Sequence, residues 1–460
     1  MLPGTYLKGV GARFDPAYLY SQMVDMPTRR AEALECGAAV RINSDWNVIV
    51  TLLAPPTCHP STGLVEFPVH HMRGGTSTGV VIWAPYAPND EALREELLRH
   101  LMGVPSTGVL PGNKQTTGLG RGPATSNKVF FVDLETVDGR PRLVSTLAQL
   151  AATHSGVDWS VNCGNMSSAL PLWALDCGLV DFDRSDNEIE IRNTNTGVIS
   201  TGRMLRDAGG ALVPTEIPGV YGQFPGIDLF LQRPVGSKTG KLLPTGHAVD
   251  LIDGIRVSCV DVAVPMVIIN AADLGKTAHE SIEALESDPE FISRLRRTWI
   301  QAGLRMKLRR RDASLMSESE IAASETIPKV CIVGAPQNGG AISVRYFTPQ
   351  TGHASMAVSG GCCLAAACLI DGTVASEVAT GLPDVSQTGQ DVVIGIENPA
   401  GMLEATVSAR RLGDGLDIPR VAYRRSAQVL LKGNVPLYNA SDALKAAIKT
   451  NAERLSPAML

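Results

Sequence analysis

No run of apolar residues in this 460-residue chain is long enough to cross a bilayer; the best, Val48 to Leu53, is far too short. The first 30 residues lack the basic start and apolar stretch of a secretory leader. No Cys-x-x-Cys pair occurs, and nine cysteines in a chain this size do not make a disulfide scaffold. Neither sign of charge dominates: 41 basic residues face 46 acidic ones, for a net charge of −5. Nothing there would draw in nucleic acid or an anionic membrane. HExxH, GxSxG and an Asp/His metal cluster are all missing, and no GxGxxG follows a strand in a βαβ context. No residue is assigned to a metal. The expected setting is reducing and cytoplasmic, with most cysteines acting as small buried hydrophobes.

What is present suits an enzyme of two or three domains. Hydrophobic residues make up 44%, which excludes global disorder. Gly (45) and Pro (29) together form about 16% of the chain, a turn-rich composition that argues against a helical bundle. Residues 1–62 have weak periodicity and end in Pro-rich turns, so they read as an N-terminal extension. A first domain over 63–249, a second over 250–435 and a C-terminal tail or helix over 436–460 follow.

Periodicity places the elements. Val80–Trp83 is a short strand. Asn89-Asp90 can cap a helix with Leu93, Leu97, Leu98 and Leu101 on one face and Gly103 at its end. Lys128–Leu134 reads as a buried strand, and Cys163–Cys177 as a helix stopping at Gly178. Ile189–Arg192 and Asp228–Arg233 read as strands. Beyond Asp250 come a long strand (Ile255–Ile269) and an amphipathic helix (Ile292, Leu295, Trp299, Ala302, Met306). The basic run Arg305–Arg311 closes that helix and suits its dipole as a solvated face. A hairpin-like pair (Lys329–Val333, Ala341–Phe347) precedes an apolar helix, Ala354–Ile370. Val392–Glu397 and Met402–Ser408 pair through a turn at Asn398–Gly401. Each half thus has strands followed by one apolar helix opened by a polar, glycine-containing turn.

Four polar segments carry candidate chemistry. Met72-Arg73-Gly74-Gly75-Thr76-Ser77-Thr78-Gly79 can curl into a nest of N–H groups for an anion, or be a tight turn only. Gly118–Lys128 delivers a lysine to the edge of an apolar strand. Partial desolvation there favours the neutral amine, a usable base; a lysine facing water is the plain alternative. Asn162-Cys163-Gly164-Asn165 sets a thiol at a helix N-terminus, where unpaired N–H groups favour thiolate. Thr348–Ala354 opens the second apolar helix, and His353 can donate to a carboxylate or merely sit near a cap. Two helix N-termini and a glycine nest can hold a di- or tricarboxylate without a metal. An amine and a thiol can work on carbon-bound protons. A cofactor-free proton-transfer enzyme acting on a small polycarboxylate is what remains.

These motifs resemble, in order, those of the PrpF family, the 2-methylaconitate cis-trans isomerase-like proteins. That family includes 4-oxalomesaconate tautomerase, methylitaconate isomerase and fungal aconitate delta-isomerase. The resemblance runs from about Met72 to about Ala375 and rests on MRGGTS (72–77), GLG…TSNK (118–128), NCGN (162–165), GKLLPTG (240–246), Asp261–Met266, and Val344–Phe347 with the helix that follows. The later blocks look closest to the fungal aconitate isomerase branch. It implies an α+β fold of the diaminopimelate epimerase type: two similar domains, each a curved, mostly antiparallel sheet around a central helix. By motif, the catalytic pair falls on Lys128 and Cys163, 35 positions apart. The family's carboxylate-binding elements fall on the turn Gly74, Gly75, Thr76 and Ser77 and on the turn before Ala354 (Thr351, Gly352, His353). Arg73, Ser126, Gly164 and the pair Asn162 and Asn165, which can cap the helix or bind a carboxylate, are further substrate-binding candidates from the polar segments themselves. Homodimers are common in the family, and no cofactor is implied.

The sequence departs from the family pattern in three places. Thr78 stands where a basic residue usually follows MRGGTS. Gln115–Arg121 loses an acid and gains Arg121, and the loop near His353 lacks a lysine common in bacterial members. Arg121 is expected to compensate for the cation missing at position 78. The implied reaction is an allylic isomerisation of aconitate or 2-methylaconitate type. Three rivals stand beside it: an isomerase of a bulkier secondary-metabolite acid, a non-catalytic carboxylate-binding relative, and a two-base amino-acid epimerase. The lysine–cysteine pairing disfavours the last two.

Overall fold

Sixteen main strands form two topological copies of one pattern in the computed structural model, which describes residues 54–113, 117–121, 127–160, 162–180, 187–310, 312–413 and 415–455. The first copy holds β1 (Val65–Gly74), β2 (Ser77–Trp83), β3 (Lys128–Val137), β4 (Arg140–Leu150), β5 (Val157–Asp158), β6 (Glu188–Asn193), β7 (Ile199–Met204) and β8 (Phe224–Gln232). The second holds β9 (Ile255–Val262), β10 (Val264–Asn270), β11 (Lys329–Gly334), β12 (Ile342–Thr348), β13 (Thr351–Gly352), β14 (Gln390–Asn398), β15 (Gly401–Leu412) and β16 (Gly415–Pro436). In each, a hairpin leads through an outer helix to a parallel neighbour (β2–β3, β10–β11). A second crossover, through the central helix, makes the other parallel pair (β4–β6, β12–β14). All remaining neighbours are antiparallel. This is the curved, mostly antiparallel α+β architecture implied by the resemblance.

Strand β16 joins the copies. It pairs with β15 and β8 through its first half and with β1 through its second. That closes the first sheet into a ring. In the second, the segment that follows β8 meets β9 at the isolated bridge Val235↔Val262.

The helices include α1 (Glu91–Met102), α2 (Gly164–Ser167), α3 (Leu170–Asp176), α4 (Ile282–Glu286), α5 (Pro289–Arg305), α6 (Val358–Cys368) and α7 (Asp442–Leu455); two further short helices, Glu318–Ala323 and Val374–Val378, lie among them. Asp90 caps α1 by accepting from the Leu93 N–H, and Gly103 ends it in the left-handed region (φ 69°). The GLG motif then serves that helix end. Leu119 and Gly120 donate to the carbonyls of Leu101 and Met102, which a helix terminus leaves unpaired. A Cβ on Gly118 would collide with the backbone of Gly103.

The second copy explains its own apolar runs. Along β10, Met266 and Ile268 face the core around α6, whereas Val267 and Ile269 face the core around α5. A sheet covered on both sides has no polar face to alternate with. The expected single strand Ile255–Ile269 is instead a hairpin. Ala263 takes φ 64° between β9 and β10 and donates its N–H to the Pro234 carbonyl. The Asp261 carboxylate accepts from Ser237 Oγ, Thr239 Oγ1 and the N–H groups of Lys238 and Thr239. Asp261 N–H in turn donates to the Leu242 carbonyl (3.0 Å), which ties the GKLLPTG block to the strand motif that follows it.

Two helix expectations need correction. Cys163–Cys177 is not one helix: α2 ends at Ser167 and α3 begins at Leu170. Pro171 has no N–H to continue the ladder. Likewise α6 starts at Val358 rather than Ala354, because Thr351–Gly352 pairs with β12 and Ala357 is extended. Residues 1–53 of the expected extension lie outside the described residues, while Thr57 and Cys58 pair with β1. No helix among the described residues is long and apolar enough to cross a membrane. The thiols of Cys177, Cys259, Cys331, Cys362, Cys363 and Cys368 are buried, as expected of small hydrophobes.

Gly202 on β7 lies where a Cβ would strike the Pro171 ring. Gly202→Ala should lower stability by about 1–3 kcal/mol through overpacking, read as a shift in the urea midpoint. An unchanged midpoint would show that α3 is free to move away from β7.

Candidate active site

The turn between β1 and β2 is the floor of the site, and its glycines are there for close approach. A Cβ on Gly74 would collide with the Asn165 carbonyl and lie 3.0 Å from Met166 Cα. One on Gly75, where φ is 54°, would strike the Asn165 amide. The turn therefore lies directly on the first turn of α2, which Cys163 opens as N-cap. Arg73 locks it from behind, donating to the Gly75 carbonyl (2.8 Å) and the Ser426 carbonyl (3.1 Å), with its guanidinium over the Phe224 ring. Gly75 N–H also donates to the Ser426 carbonyl (3.0 Å). Arg73 is thus a support for the turn rather than an open cation.

Asn165 is the junction. Its Oδ1 accepts from Arg425 Nε (2.9 Å) and its Nδ2 donates to Thr76 Oγ1 (3.2 Å). That choice leaves the hydroxyl hydrogen of Thr76 directed elsewhere, and Thr76 is exposed. Arg425 is almost wholly buried on β16, and its guanidinium lies 4.1 Å from the centre of the Tyr423 ring. Burial pushes the Arg425 value down, but a guanidinium keeps its proton. A fixed positive charge therefore stands beneath the Asn165–Thr76 pair.

Lys128 begins β3 beside Gly79. The strand register, with Val80 opposite Val129, makes Gly79 and Lys128 lateral neighbours. A Cβ on Gly79 would lie 3.0 Å from Met166 Cε and 3.2 Å from Lys128 Cβ. The empty position at 79 leaves room for the lysine on the side of the sheet that faces α2. Asn127 sets the start of that strand: its carbonyl accepts from Leu150 N–H, and its Oδ1 from Arg121 N–H. Lys128 is buried; Cys163 is half-buried. The Asn162 side chain accepts from the Cys163 N–H (2.7 Å). The N–H groups of Gly164 and Asn165 lie in the first helical turn, which has no intrahelical acceptors for them.

The other expected residues divide. Ser126 lies outside the described residues. Arg121 is exposed, and its charge, after burial, helps hold His71 below the ordinary histidine value. By strand alternation His71 and Arg73 share the side of β1 opposite to Met72 and Gly74. No described hydrogen bond of the Arg121 side chain ties it to the Lys128 side. Thr351, Gly352 and His353 do not open α6 directly. Gly352 N–H donates to Glu286 of α4 (2.7 Å), and His353 N–H to the Tyr346 carbonyl (2.8 Å).

A continuous chain of contacts still links this second group to the first. The His353 ring meets Tyr346 edge-on, and Tyr346 lies against Gly360 at the start of α6. The adjacent Gly361 abuts Tyr423, under Arg425. Sequence reasoning missed Tyr423 and Arg425. Their only local signal is two successive arginines, Arg424 and Arg425, inside an apolar strand. The Pro218–Gly219 loop lies close by: a Cβ on Gly219 would touch Thr76, and one on Gly401 would touch Pro218.

Burial, with Lys329 nearby, holds His353 below its ordinary value of 6.5. The unfolded chain then binds the proton first as pH falls, so this contribution to stability is full above pH 6.5 and is lost below it. His353→Gln should flatten that acid-side loss, measured as urea midpoints across pH at constant salt. An unaltered slope would refute the assignment.

Comparison with known proteins places the chain in a family and the fold among solved structures. The family model described as PrpF protein matches residues 64–438. The chain is 31% identical to 4-oxalomesaconate tautomerase of Pseudomonas putida KT2440, over 75% of this chain and 90% of that protein. It is 29% identical to (4E)-oxalomesaconate Delta-isomerase of Novosphingobium sp. strain KA1, over 80% and 96% respectively. The crystal structure of methylitaconate-delta-isomerase has the same fold, with a TM-score of 0.68 and 24% identity over 84% of this chain and 97% of that one. An unbroken match across both copies of the fold leaves one conclusion: the chain belongs to the PrpF family and is an isomerase.

Proposed function

We propose that the protein isomerises an unsaturated di- or tricarboxylate of the aconitate or 2-methylaconitate type by allylic proton transfer, using its own side chains. The observation that carries this reading is the placement of Lys128 beside Gly79 and Met166, on the face of the sheet against which the Cys163-capped turn of α2 is packed. We read residues 63–249 and 250–435 as the two domains that wall the site.

In this mechanism Lys128 or Cys163 removes a proton from the carbon next to the double bond. The electron pair of that C–H bond spreads into a dienolate, and the former double bond gains single-bond character. The proton returns to the same carbon after rotation, or to the far carbon with the double bond shifted. The developing negative charge meets the first-turn N–H groups of Gly164 and Asn165, the Thr76 hydroxyl and the buried charge of Arg425. These groups are held before substrate arrives, so little reorganisation is needed.

The repeat supports the asymmetry of the pair. Cys163 is the N-cap of α2, five positions after β5 ends; Ala357 is the N-cap of α6, five positions after β13 ends. The topological counterpart of the thiol is therefore a methyl group. An epimerase working with two matched thiols is disfavoured, and a lysine–cysteine division of labour is favoured.

The test is NMR in D2O with cis-aconitate, trans-aconitate and 2-methylaconitate. Lys128→Ala and Cys163→Ser should each cut isomerisation and deuterium uptake by about a hundred- to ten-thousandfold with the fold intact. Near-normal deuterium uptake in both variants would refute the mechanism.

A further inference from the structure

We propose that His70, Asp176 and Cys177 form a site for a divalent transition-metal ion of the zinc class, separate from the candidate active site. His70 lies on β1, on the side facing the central helix, and Asp176 and Cys177 end α3. The site is thus at the far end of the α2–α3 segment from Cys163.

The geometry is that of ligands around one ion. His70 Nε2 lies 3.4 Å from Asp176 Oδ2 and 3.7 Å from Cys177 Sγ, and the three donor atoms all fall within 4.8 Å of one another. Bonds of roughly 2.0–2.3 Å to nitrogen, oxygen and one sulfur in a tetrahedron put neighbouring donors about 3.3–3.6 Å apart. The His70–Asp176 separation falls in that interval, and the His70–Cys177 separation needs only a small closure.

The surroundings hold the donors in place. Lys432, paired with His70 in the β16–β1 register, donates to Asp176 Oδ1 (2.6 Å) and leaves Oδ2 turned toward His70. The His70 ring stands edge-on to Trp173, 6.2 Å between centres at 87°, which fixes its plane. Outer partners of this kind orient metal ligands. Cys177 is buried, whereas the His70 and Asp176 side chains keep 14% and 23% of their exposure, so water can reach a fourth position.

The donor set selects the ion. A thiolate, an imidazole and one carboxylate suit zinc and its neighbours and not magnesium or calcium, which take oxygen. A carboxylate and a thiolate also balance the double positive charge. Burial and then Asp176 push the Cys177 thiol up to about 12, so without an ion it carries a proton that the metal must displace. A hydrogen-bonded ion pair of His70 with Asp176 would need no sulfur. Sequence spacing gave no hint of the site, because His70 and Cys177 are 107 positions apart.

The experiment uses the full chain, stripped with chelator, desalted and titrated with zinc alone. The expected result is one zinc retained per chain by elemental analysis, with a higher melting temperature. Cobalt in its place should give the near-ultraviolet absorption of a thiolate–cobalt bond. Cys177→Ser should abolish that absorption, and His70→Ala should lose the retained zinc. Both variants should keep the isomerase activity of the parent, since neither residue belongs to the active site. A parent chain that retains no zinc, or zinc retained undiminished in both variants, would overturn the proposal.

Discussion

Strand β16 has to satisfy three partners, and the point where it changes partners is where the candidate site lies. Through Ser426 it is bonded to β8, and from Ala427 onward to β1. At that switch the Ser426 carbonyl receives Gly75 and Arg73, and one residue earlier Arg425 reaches Asn165. Backbone ladders hold this junction on both sides, the one with β1 shifting register only between Val429 and Leu431. The β1–β2 turn, the first turn of α2 and the buried guanidinium are therefore all referenced to one strand.

Close approach is the second constraint. Gly74, Gly75 and Gly79 let the β1–β2 turn and the start of β3 press on α2, and Gly360 and Gly361 let Tyr346 and Tyr423 press on α6. Any side chain at these positions would push the helix away from the sheet and the charged groups away from each other. Burying Arg73 and Arg425 costs free energy unless their N–H groups find acceptors. The described acceptors are the backbone carbonyls of Gly75, Arg424 and Ser426, with the Asn165 and Gln428 amides and the Ser426 hydroxyl beside them. Such partners satisfy the N–H groups without neutralising the charge, as a carboxylate would.

The fold is symmetric where it must carry load and asymmetric where it carries polar groups. The two copies share strand order, crossovers and a central helix. They differ in their first hairpin, which turns through Gly75-Thr76 in one copy and through Ala263 alone in the other. They differ again at the helix caps, Cys163 against Ala357. Duplicated backbone with unlike side chains provides two walls of similar shape that can take different parts in one reaction.

The sequence by itself determined the elements with strong local signals. Helix α1 was legible because its cap, its apolar spacing and its terminal glycine lie within one stretch of chain. The strands Lys128–Val137 and Gly401–Leu412 were legible from apolar runs and an Asn-Pro-Ala-Gly turn. Ordered motifs carried the family, and so the fold. Tertiary structure alone decided that Pro171 splits the central helix, that Ala263 folds one apolar run into a hairpin, and that Arg73 braces a turn. It alone brought Arg425 to Asn165, 260 positions away, and His70 to Cys177. The physical reason is range. Caps, turns and periodicity act within a few residues, whereas a buried charge or a ligand cluster is assembled by strand pairing between segments that the sequence keeps far apart.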